Sequence, residues 1–210
     1  MLLVMLTITN YGHACFKFAS EKVSGVFDPY DEVPNLQMPL ISSNYCICSH
    51  KHSDHCATNY VELIPTEAHI NMEEVIVPHD HHNGLHRGLN KMHIFSMGGY
   101  KLIHFGDLGC IPSADVLEKM KNADIIFAPI NGFYTISAKE LKQIVDIIKP
   151  RLVVPMHYYR KDHNSGYPDS GQIDIFKSIF DYKEVNTSAI IVDEKTFEKP
   201  TLIFNKSLGD

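Results

Sequence analysis

A run of nine residues, CSHKHSDHC at positions 48–56, concentrates side chains that can bind a metal ion. It contains His50, His52, Asp54 and His55. Neutral histidine nitrogen and carboxylate oxygen are the usual donors to zinc and similar ions. Alternate positions of an extended loop face the same way, so His50 and His52 can face one ion while Asp54 and His55 turn toward a second. The spacing therefore predicts a metal site rather than a polar loop with scattered histidines.

Three further residues of the same chemical types follow short apolar segments later in the chain. His79 closes VIVPH, Asp107 lies in HFGDLG after KLI, and His157 closes RLVVPMH. A single histidine beyond a buried strand is more often a hydrogen-bonded core residue than a ligand. Three such residues, together with the first cluster, favour metal ligands over core residues, because side chains that follow successive strands can converge on one edge of a sheet.

Apolar periodicity indicates the elements that must hold these side chains. The first third of the chain favours short strands, in LLVMLTI, ACFKFAS, KVSGVFD and NYCICSH. Later, Ser113 is expected to cap a helix over SADVLEKMK, and Ser137 with Glu140 predicts a capping box for SAKELKQIVDIIK, which ends at Pro150. IIFAPI and RLVVPMH are predicted buried strands, GQIDIFKSIF a helix, and SAIIV and TLIF closing strands.

Composition limits the architecture and the class of partner. The chain has 210 residues, 44% hydrophobic and 21% charged, and no linker-like stretch, so we expect one domain over residues 1–210. Strands followed by alternating helices and strands predict a mixed α/β fold of two sheets with helices outside. The net charge of −6 provides no general field for nucleic acid or for an anionic membrane.

The cysteines and the N-terminal segment bear on the cellular compartment. Five cysteines are odd in number and show no paired spacing, and Cys46 and Cys48 alternate along a strand as ordinary buried thiols would. The apolar run MLLVMLTI is too short to span a bilayer and lacks the features of a signal peptide. We therefore expect a reducing, cytoplasmic setting without membrane attachment.

Seven segments carry a family resemblance in order and spacing over nearly the whole chain. They are YGHACFKF (11–18), FDPY (27–30), SHKHSDH (49–55), HDHHNGLHRGLN (79–90), IHFGDLG (103–109), PINGFYTISAKE (129–140) and KPRLVVPMHY (149–158). The chain resembles the metallo-β-lactamase superfamily, and in particular its branch of small metal-dependent hydrolases that includes L-ascorbate-6-phosphate lactonase. The resemblance implies a four-layer αββα sandwich with the site at the rim between two sheets.

The resemblance also implies a set of ligands for two divalent ions, with zinc expected and manganese or iron as alternatives. The first ion would be bound by His50, His52 and His79, the second by Asp54, His55 and His157, and Asp107 would bridge both. From the residues alone, His81 or His82 could replace His79.

Further family positions surround this ligand set. Asp28 in FDPY resembles a buried aspartate that orients a ligand, although a turn residue before Pro29 is an equal alternative. His13 and His104 are expected either near the ligands or facing substrate, and plain core histidines are an equal alternative.

Three positions depart from the family pattern. They are Cys56 and Cys110, whose thiolates would favour softer ions, and Asn131, which replaces a glycine.

The implied activity is hydrolysis of a small ester, lactone or phosphodiester by a hydroxide held between two metals, with Asp54 orienting the nucleophile and accepting its proton. Arg87 and the loop residues Tyr158, Arg160 and Lys161 are candidates for contact with an anionic substrate. For the three loop residues, a solvated surface loop is the alternative.

Two other functions are alternatives to hydrolysis. They are a mononuclear iron thiol dioxygenase on the same fold and a metal-binding protein without catalysis. A homo-oligomer is left open.

Overall fold

The computed structural model describes residues 5–170 and 173–210 and places most strands in two five-stranded sheets. The strands are β1 (Thr7–Gly12), β2 (Cys15–Ala19), β3 (Ser24–Phe27), β4 (Ile41–Ser43), β5 (Tyr45–Ile47), β6 (Val61–Leu63), β7 (Asn71–Pro78), β8 (Leu89–Met97), β9 (Tyr100–His104), β10 (Ile125–Pro129), β11 (Leu152–Met156), β12 (Lys183–Val185), β13 (Ala189–Ile191) and β14 (Leu202–Phe204). The α-helices are α1 (Ala114–Met120), α2 (Ala138–Ile148) and α3 (Ile173–Ile179). Short 3-10 helices span Thr58–Tyr60 and Glu194–Phe197.

The first sheet has the strand order β13-β1-β2-β3-β5. Its pairings are antiparallel except the last, in which β3 runs parallel to β5. The parallel pairing aligns Phe27 with Ile47, so the ends of these two strands lie side by side. Consequently Asp28, which follows β3, lies next to the histidine-rich loop that follows β5.

The second sheet has the order β11-β10-β9-β8-β7. Strands β7 to β9 are antiparallel, whereas β9, β10 and β11 are parallel and are joined through α1 and α2. Parallel neighbours require such crossover connections, and their carboxyl ends lie at the same edge. The residues that follow β9 and β11 are therefore brought to one rim.

Aromatic side chains join the two sheets face to face. Phe18 of the first sheet lies with its ring centroid 5.1 Å from Phe95 and 4.8 Å from Phe127 of the second sheet, and Phe27 stacks on Phe95 at 4.6 Å. All four rings are buried. The alternate residues Cys15 and Val26 belong to a smaller apolar cluster on the opposite face of the first sheet, as the period of two along a strand requires.

The sequence predicted most of these elements, and the mixed α/β fold is confirmed. The capping box of α2 is present, with the Ser137 side chain accepting from the Glu140 backbone N–H. Ser113 precedes α1 as predicted, but its side chain makes no capping hydrogen bond. The predicted helix over GQIDIFKSIF begins at residues 171–172, which lie outside the described residues, as do residues 2–4 of the first predicted strand.

Candidate metal centre

The buried carboxylate of Asp28 fixes the loop that follows β5 through contacts with Ser49 and His55. One oxygen accepts the backbone N–H of Ser49 at 2.7 Å, and the other lies 2.7 Å from Ser49 Oγ and 2.8 Å from His55 Nδ1. Ser49 Oγ in turn lies 2.9 Å from His50 Nδ1. Since both imidazoles are engaged through Nδ1, each has Nε2 free to face the site, which is the arrangement that orients histidine ligands in metal centres.

A disulfide between Cys48 and Cys56 closes this loop, with 5.3 Å between the two Cα atoms. The predictions that the cysteines show no paired spacing and that Cys48 is an ordinary buried thiol are wrong, because the return of the loop brings two cysteines eight positions apart within bonding reach. A disulfide sulfur is not a thiolate ligand, so the predicted influence of Cys56 on metal preference is also wrong in this state. Cys110 is a free thiol whose pKa is raised by burial, and by Glu140 and Asp80.

His79 and Asp107 reach the site from the ends of β7 and β9. The backbone N–H of Gly109 donates to the Pro78 carbonyl at 2.8 Å, which joins the two loops. A Cβ at position 109 would lie 2.0 Å from the backbone nitrogen of Asp80, so only glycine permits this approach. Asn90 accepts the Asp107 backbone N–H at 2.9 Å and thereby fixes the aspartate beside His79.

His157 follows β11 and adopts a left-handed backbone conformation, with φ of 55°. His13 and Asp28 do the same, with φ of 52° and 48°. Such conformations are uncommon for residues other than glycine and concentrate at functional sites. The His157 backbone N–H donates to the His13 carbonyl at 3.1 Å, so the turn between β1 and β2 packs on the loop after β11.

The donor atoms form two groups with an aspartate between them. The first group contains His50, His52 and His79, and in the second the donor atoms of His13, Asp54, His55 and His157 lie within 4.8 Å of one another. Asp107 places Oδ1 3.2 Å from His55 Nε2, and Oδ2 3.3 Å from His157 Nε2 and 3.5 Å from His79 Nε2. The structure thus brings together all seven side chains of the predicted ligand set.

The site combines burial with donors that lack partners. Nε2 of His13, His50 and His55 and Oδ1 of Asp107 are buried, and none makes a well-aligned hydrogen bond among the described residues, although His55 Nε2 lies 3.2 Å from Asp107 Oδ1 and His13 Nε2 lies 3.4 Å from Asp54 Oδ2. Buried polar atoms are normally satisfied, so this group of unpaired nitrogen and oxygen donors fits a divalent cation. The set contains imidazole and carboxylate only, which suits zinc, manganese or iron.

Burial and neighbouring charges determine the protonation of these groups. Burial lowers the pKa of His50 to about 3 and, with His157 nearby, that of His13 to about 4, which leaves neutral imidazoles. Burial also opposes the charged form of His55, but Asp107 and Asp28 raise its pKa well above the usual value. For Asp54, burial raises the pKa, yet the close contact with His13 Nε2 and the charge of His55 lower it overall.

The histidines that the sequence left as alternatives to His79 lie outside this cluster. His81 places Nε2 3.0 Å from Glu140 Oε1 and is exposed, and His82 packs edge-on against His86 at 4.6 Å. His104 is fully buried behind the site, with Nε2 2.9 Å from the Ala14 carbonyl, and so does not face a substrate.

The three predicted substrate contacts that directly follow His157 do not face the donor groups. Tyr158, Arg160 and Lys161 line a separate cleft. The Arg160 guanidinium pairs with Asp210 at 2.8 Å and donates to the Asn205 carbonyl at 2.6 Å, which gives it a structural role instead of the predicted substrate contact. Lys161 is exposed and pairs with Asp174.

A pocket of about 330 Å³ opens above the donor groups. It is lined by His52, Ser53, Asp54, Arg87, Asp107, Tyr134, His157 and Tyr167. The Arg87 guanidinium lies 3.9 Å from the centre of the Tyr134 ring, and the Tyr167 hydroxyl donates to Asp54 Oδ2 at 3.3 Å. The sequence indicated Arg87 but missed both tyrosines.

Asn131 is a departure from the family pattern that contacts the site. Its side-chain oxygen accepts the backbone N–H groups of Phe133 and Tyr134, both at 2.9 Å. Its Nδ2 consequently faces His157 Nδ1 at 3.3 Å. Asn131 therefore fixes both the loop that carries Tyr134 and the position of the His157 ring.

Two packed sheets with histidine and aspartate donors gathered from several loops at one rim define a metal-binding protein of the metallo-β-lactamase fold. A family model described as "Beta-lactamase superfamily domain" matches residues 7–157. The chain therefore belongs to this superfamily. No helix among the described residues is long and apolar enough to cross a membrane.

Relatives and solved structures agree with this membership. The UPF0173 protein of Pyrococcus abyssi is 32% identical over 184 residues, which cover 73% of this chain and 83% of the relative. The UPF0173 metal-dependent hydrolase of Thermoplasma acidophilum is 27% identical over 188 residues, covering 73% and 83%. A candidate zinc-dependent hydrolase of the metallo-β-lactamase superfamily from Thermotoga maritima superposes with a TM-score of 0.70 at 25% identity, covering 95% of this chain and 98% of that one.

Proposed function

We propose that this chain is a metal-dependent hydrolase that binds two divalent ions, zinc in the first instance, and cleaves a small ester, lactone or phosphodiester. The observation that carries the proposal is the position of Asp107, whose carboxylate lies between the two donor groups. The similarity to UPF0173 proteins described as metal-dependent hydrolases supports the reaction class. Two such ions, when bound, lower the pKa of a water from about 15.7 toward 7 and stabilise a developing oxyanion.

Asp54 is the residue that we assign to accept the proton of the attacking water. Its side chain lines the pocket and is 17% exposed, so substrate and water can reach it. The lowered pKa keeps the group a carboxylate, and the hydroxyl of Tyr167 donates to one of its oxygens. The remaining oxygen can accept a proton from a water that attacks the substrate.

Arg87 gives the pocket a preference for anionic substrates. Its guanidinium is exposed at the rim and has no ion-pair partner within the described residues, while the Tyr134 ring fixes its plane. An oriented guanidinium binds a carboxylate or phosphate through two parallel hydrogen bonds. Phosphorylated lactones and phosphate esters carry such groups, which is consistent with a lactonase-like activity.

A small-molecule substrate and a cytoplasmic location complete the proposal. The acidic net charge supports a small-molecule substrate over a nucleic acid. The Cys48–Cys56 disulfide is the observation that opposes a cytoplasmic location, since disulfides are rare in most reducing compartments. Mass spectrometry of protein alkylated inside cells would show whether the bond is present there.

The activity is tested with purified protein loaded with zinc or manganese and a panel of lactones, aryl esters and phosphodiesters. We expect turnover of at least one class, and a loss of about 100-fold or more in kcat for Asp54→Asn, because proton transfer contributes 10²–10⁴-fold. Asp31→Asn, at an exposed carboxylate, is the control. Full turnover by metal-loaded Asp54→Asn would contradict the assigned role.

A further inference from the structure

His13 lies within the second donor group although the sequence gave it no ligand role. It follows β1 in the turn that leads into β2, and its Nε2 is 3.4 Å from Asp54 Oδ2. Its ring centroid is 4.0 Å from that of His157 and 5.1 Å from that of His55. The three imidazoles therefore surround one space, with the Asp54 carboxylate at its side.

Burial leaves the His13 side chain with few alternatives to a cation. The side chain is 1% exposed, and apart from the 3.4 Å approach to Asp54 Oδ2 its Nε2 has no hydrogen-bond partner among the described residues. A buried nitrogen without a partner is unfavourable, and three imidazoles packed together offer one another no complementary charge. A cation among them would satisfy the nitrogens of His13, His55 and His157 at once.

The backbone also points the His13 ring into this space. Its φ of 52° lies in the left-handed region, which is uncommon for a residue other than glycine or asparagine. The carbonyl of His13 accepts the backbone N–H of His157 at 3.1 Å, so the two histidines are fixed relative to each other.

We propose that His13 is a direct ligand of the second metal ion. The inference rests on the proposed metal centre and adds one donor to it. The second position then has five protein donors, namely His13, Asp54, His55, Asp107 and His157. Structural zinc sites almost always have four ligands, whereas catalytic zinc can reach five, so a second position with five protein donors also suits ions that accept five or six, such as Mn²⁺ or Fe²⁺.

The test is cobalt binding to metal-depleted protein, with His13→Asn as the variant and His81→Asn as the matched control. Asparagine tolerates the left-handed backbone, and His81 is an exposed histidine outside the donor groups. Titration calorimetry and the visible absorption of Co²⁺ report affinity and coordination without any need for turnover. We expect wild type and His81→Asn to bind two equivalents, and His13→Asn to bind the second about 100-fold more weakly with an altered spectrum.

The outcomes separate the ligand role from its alternatives. Unchanged affinity and spectrum in His13→Asn would overturn the inference and leave the metal centre in place. Failure of wild type to bind any cobalt would overturn the proposed centre itself.

Thermal unfolding with and without cobalt distinguishes a ligand from a packing residue. A ligand role predicts that His13→Asn loses much of the metal-dependent rise in Tm while the metal-free Tm stays close to wild type. Equal losses of Tm in both states would show a packing role and contradict the inference.

Discussion

Asp28 shows how a single buried residue can organise a metal loop. Its carboxylate is fully buried and contacts Ser49 and His55, and through Ser49 it reaches His50. Burial raises its pKa, but the hydrogen bond and charge of His55 lower it overall, so the group stays ionised. The sequence left a turn residue as an equal alternative, and the contacts are those of an orienting residue.

Removing the charge of Asp28 should weaken metal binding without unfolding the chain. Asp28→Asn keeps the shape and tolerates the φ of 48°, but its single carbonyl oxygen cannot replace both carboxylate oxygens, of which one accepts the Ser49 backbone N–H and the other contacts Ser49 Oγ and His55 Nδ1. Loss of such partners typically costs 10–100-fold in metal affinity, and we expect about that loss by calorimetric titration. Asp31→Asn should bind as wild type does. An unaltered affinity in Asp28→Asn would show that His55 is oriented by other contacts.

Arg87 is a second single residue whose role can be tested, namely the proposed preference for anionic substrates. Arg87→Ala should raise KM about 10-fold or more for carboxylate- or phosphate-bearing substrates and leave KM for neutral esters unchanged, because charged hydrogen bonds contribute roughly 1.5–3 kcal/mol. Arg151 also lies over an aromatic ring, Phe197, but outside the pocket, so Arg151→Ala is the control. Equal changes in KM for both substrate types would contradict a charge-specific role.

At the scale of elements, the loop of residues 80–87 presents Arg87 to the pocket. Asp80 accepts the backbone N–H groups of His82, Gly84, His86 and Arg87 at 2.7–2.9 Å. One carboxylate thus substitutes for regular secondary structure in this loop. No periodic pattern in HDHHNGLHR reveals such a turn, because its hydrogen bonds go to a side chain rather than along the backbone.

Asp80→Ala should loosen this loop and mimic part of the Arg87 defect. We expect KM for anionic substrates to rise several-fold while the metal content stays at the wild-type level, as measured by steady-state kinetics and plasma mass spectrometry. Asp193→Ala removes a comparable backbone acceptor at Thr196, away from the pocket, and should leave KM unchanged. If Asp80→Ala instead loses metal, the loop supports His79 rather than Arg87.

The Cys48–Cys56 disulfide also acts on a whole loop rather than on one residue. It closes residues 48–56 around four of the proposed ligands. A loop of this length is expected to contribute about 2–3 kcal/mol through the entropy of the unfolded chain. Cys56→Ser should lower the free energy of unfolding by about that amount in chemical denaturation, whereas Cys110→Ser, at a free thiol, should have a small effect. Equal stability of both variants would contradict the loop-closure account.

The elements that the sequence predicted well share a local cause. β10, β11 and α2 have continuous apolar runs or a capping box, so neighbouring residues determine them. Tyr167 was missed because it lies 113 positions from Asp54, and no local pattern records that contact. The Cys48–Cys56 pair was missed because pairing depends on how the loop returns, which spacing alone does not specify.

At the scale of the whole molecule, the donors come from loops after β1, β5, β7, β9 and β11, and therefore from both sheets. An ion bound there stabilises the folded chain, since a preformed site does not exist in the unfolded state. With free metal at 1,000 times Kd the stabilisation is about 4 kcal/mol. For a chain of this size that corresponds to roughly 8–16 °C in Tm. Chelation should lower Tm by about this amount, and no change would indicate that the site does not bind metal tightly.

The central claim is the two-metal centre, and metal content per chain tests it most directly. Protein purified without chelator, or dialysed against zinc or manganese, would be analysed by plasma mass spectrometry beside a variant that lacks the bridging carboxylate, Asp107→Ala. The account predicts two equivalents per wild-type chain and one or fewer in the variant. A wild-type chain that retains no metal after such loading, or that binds the same amount with and without Asp107, would contradict it.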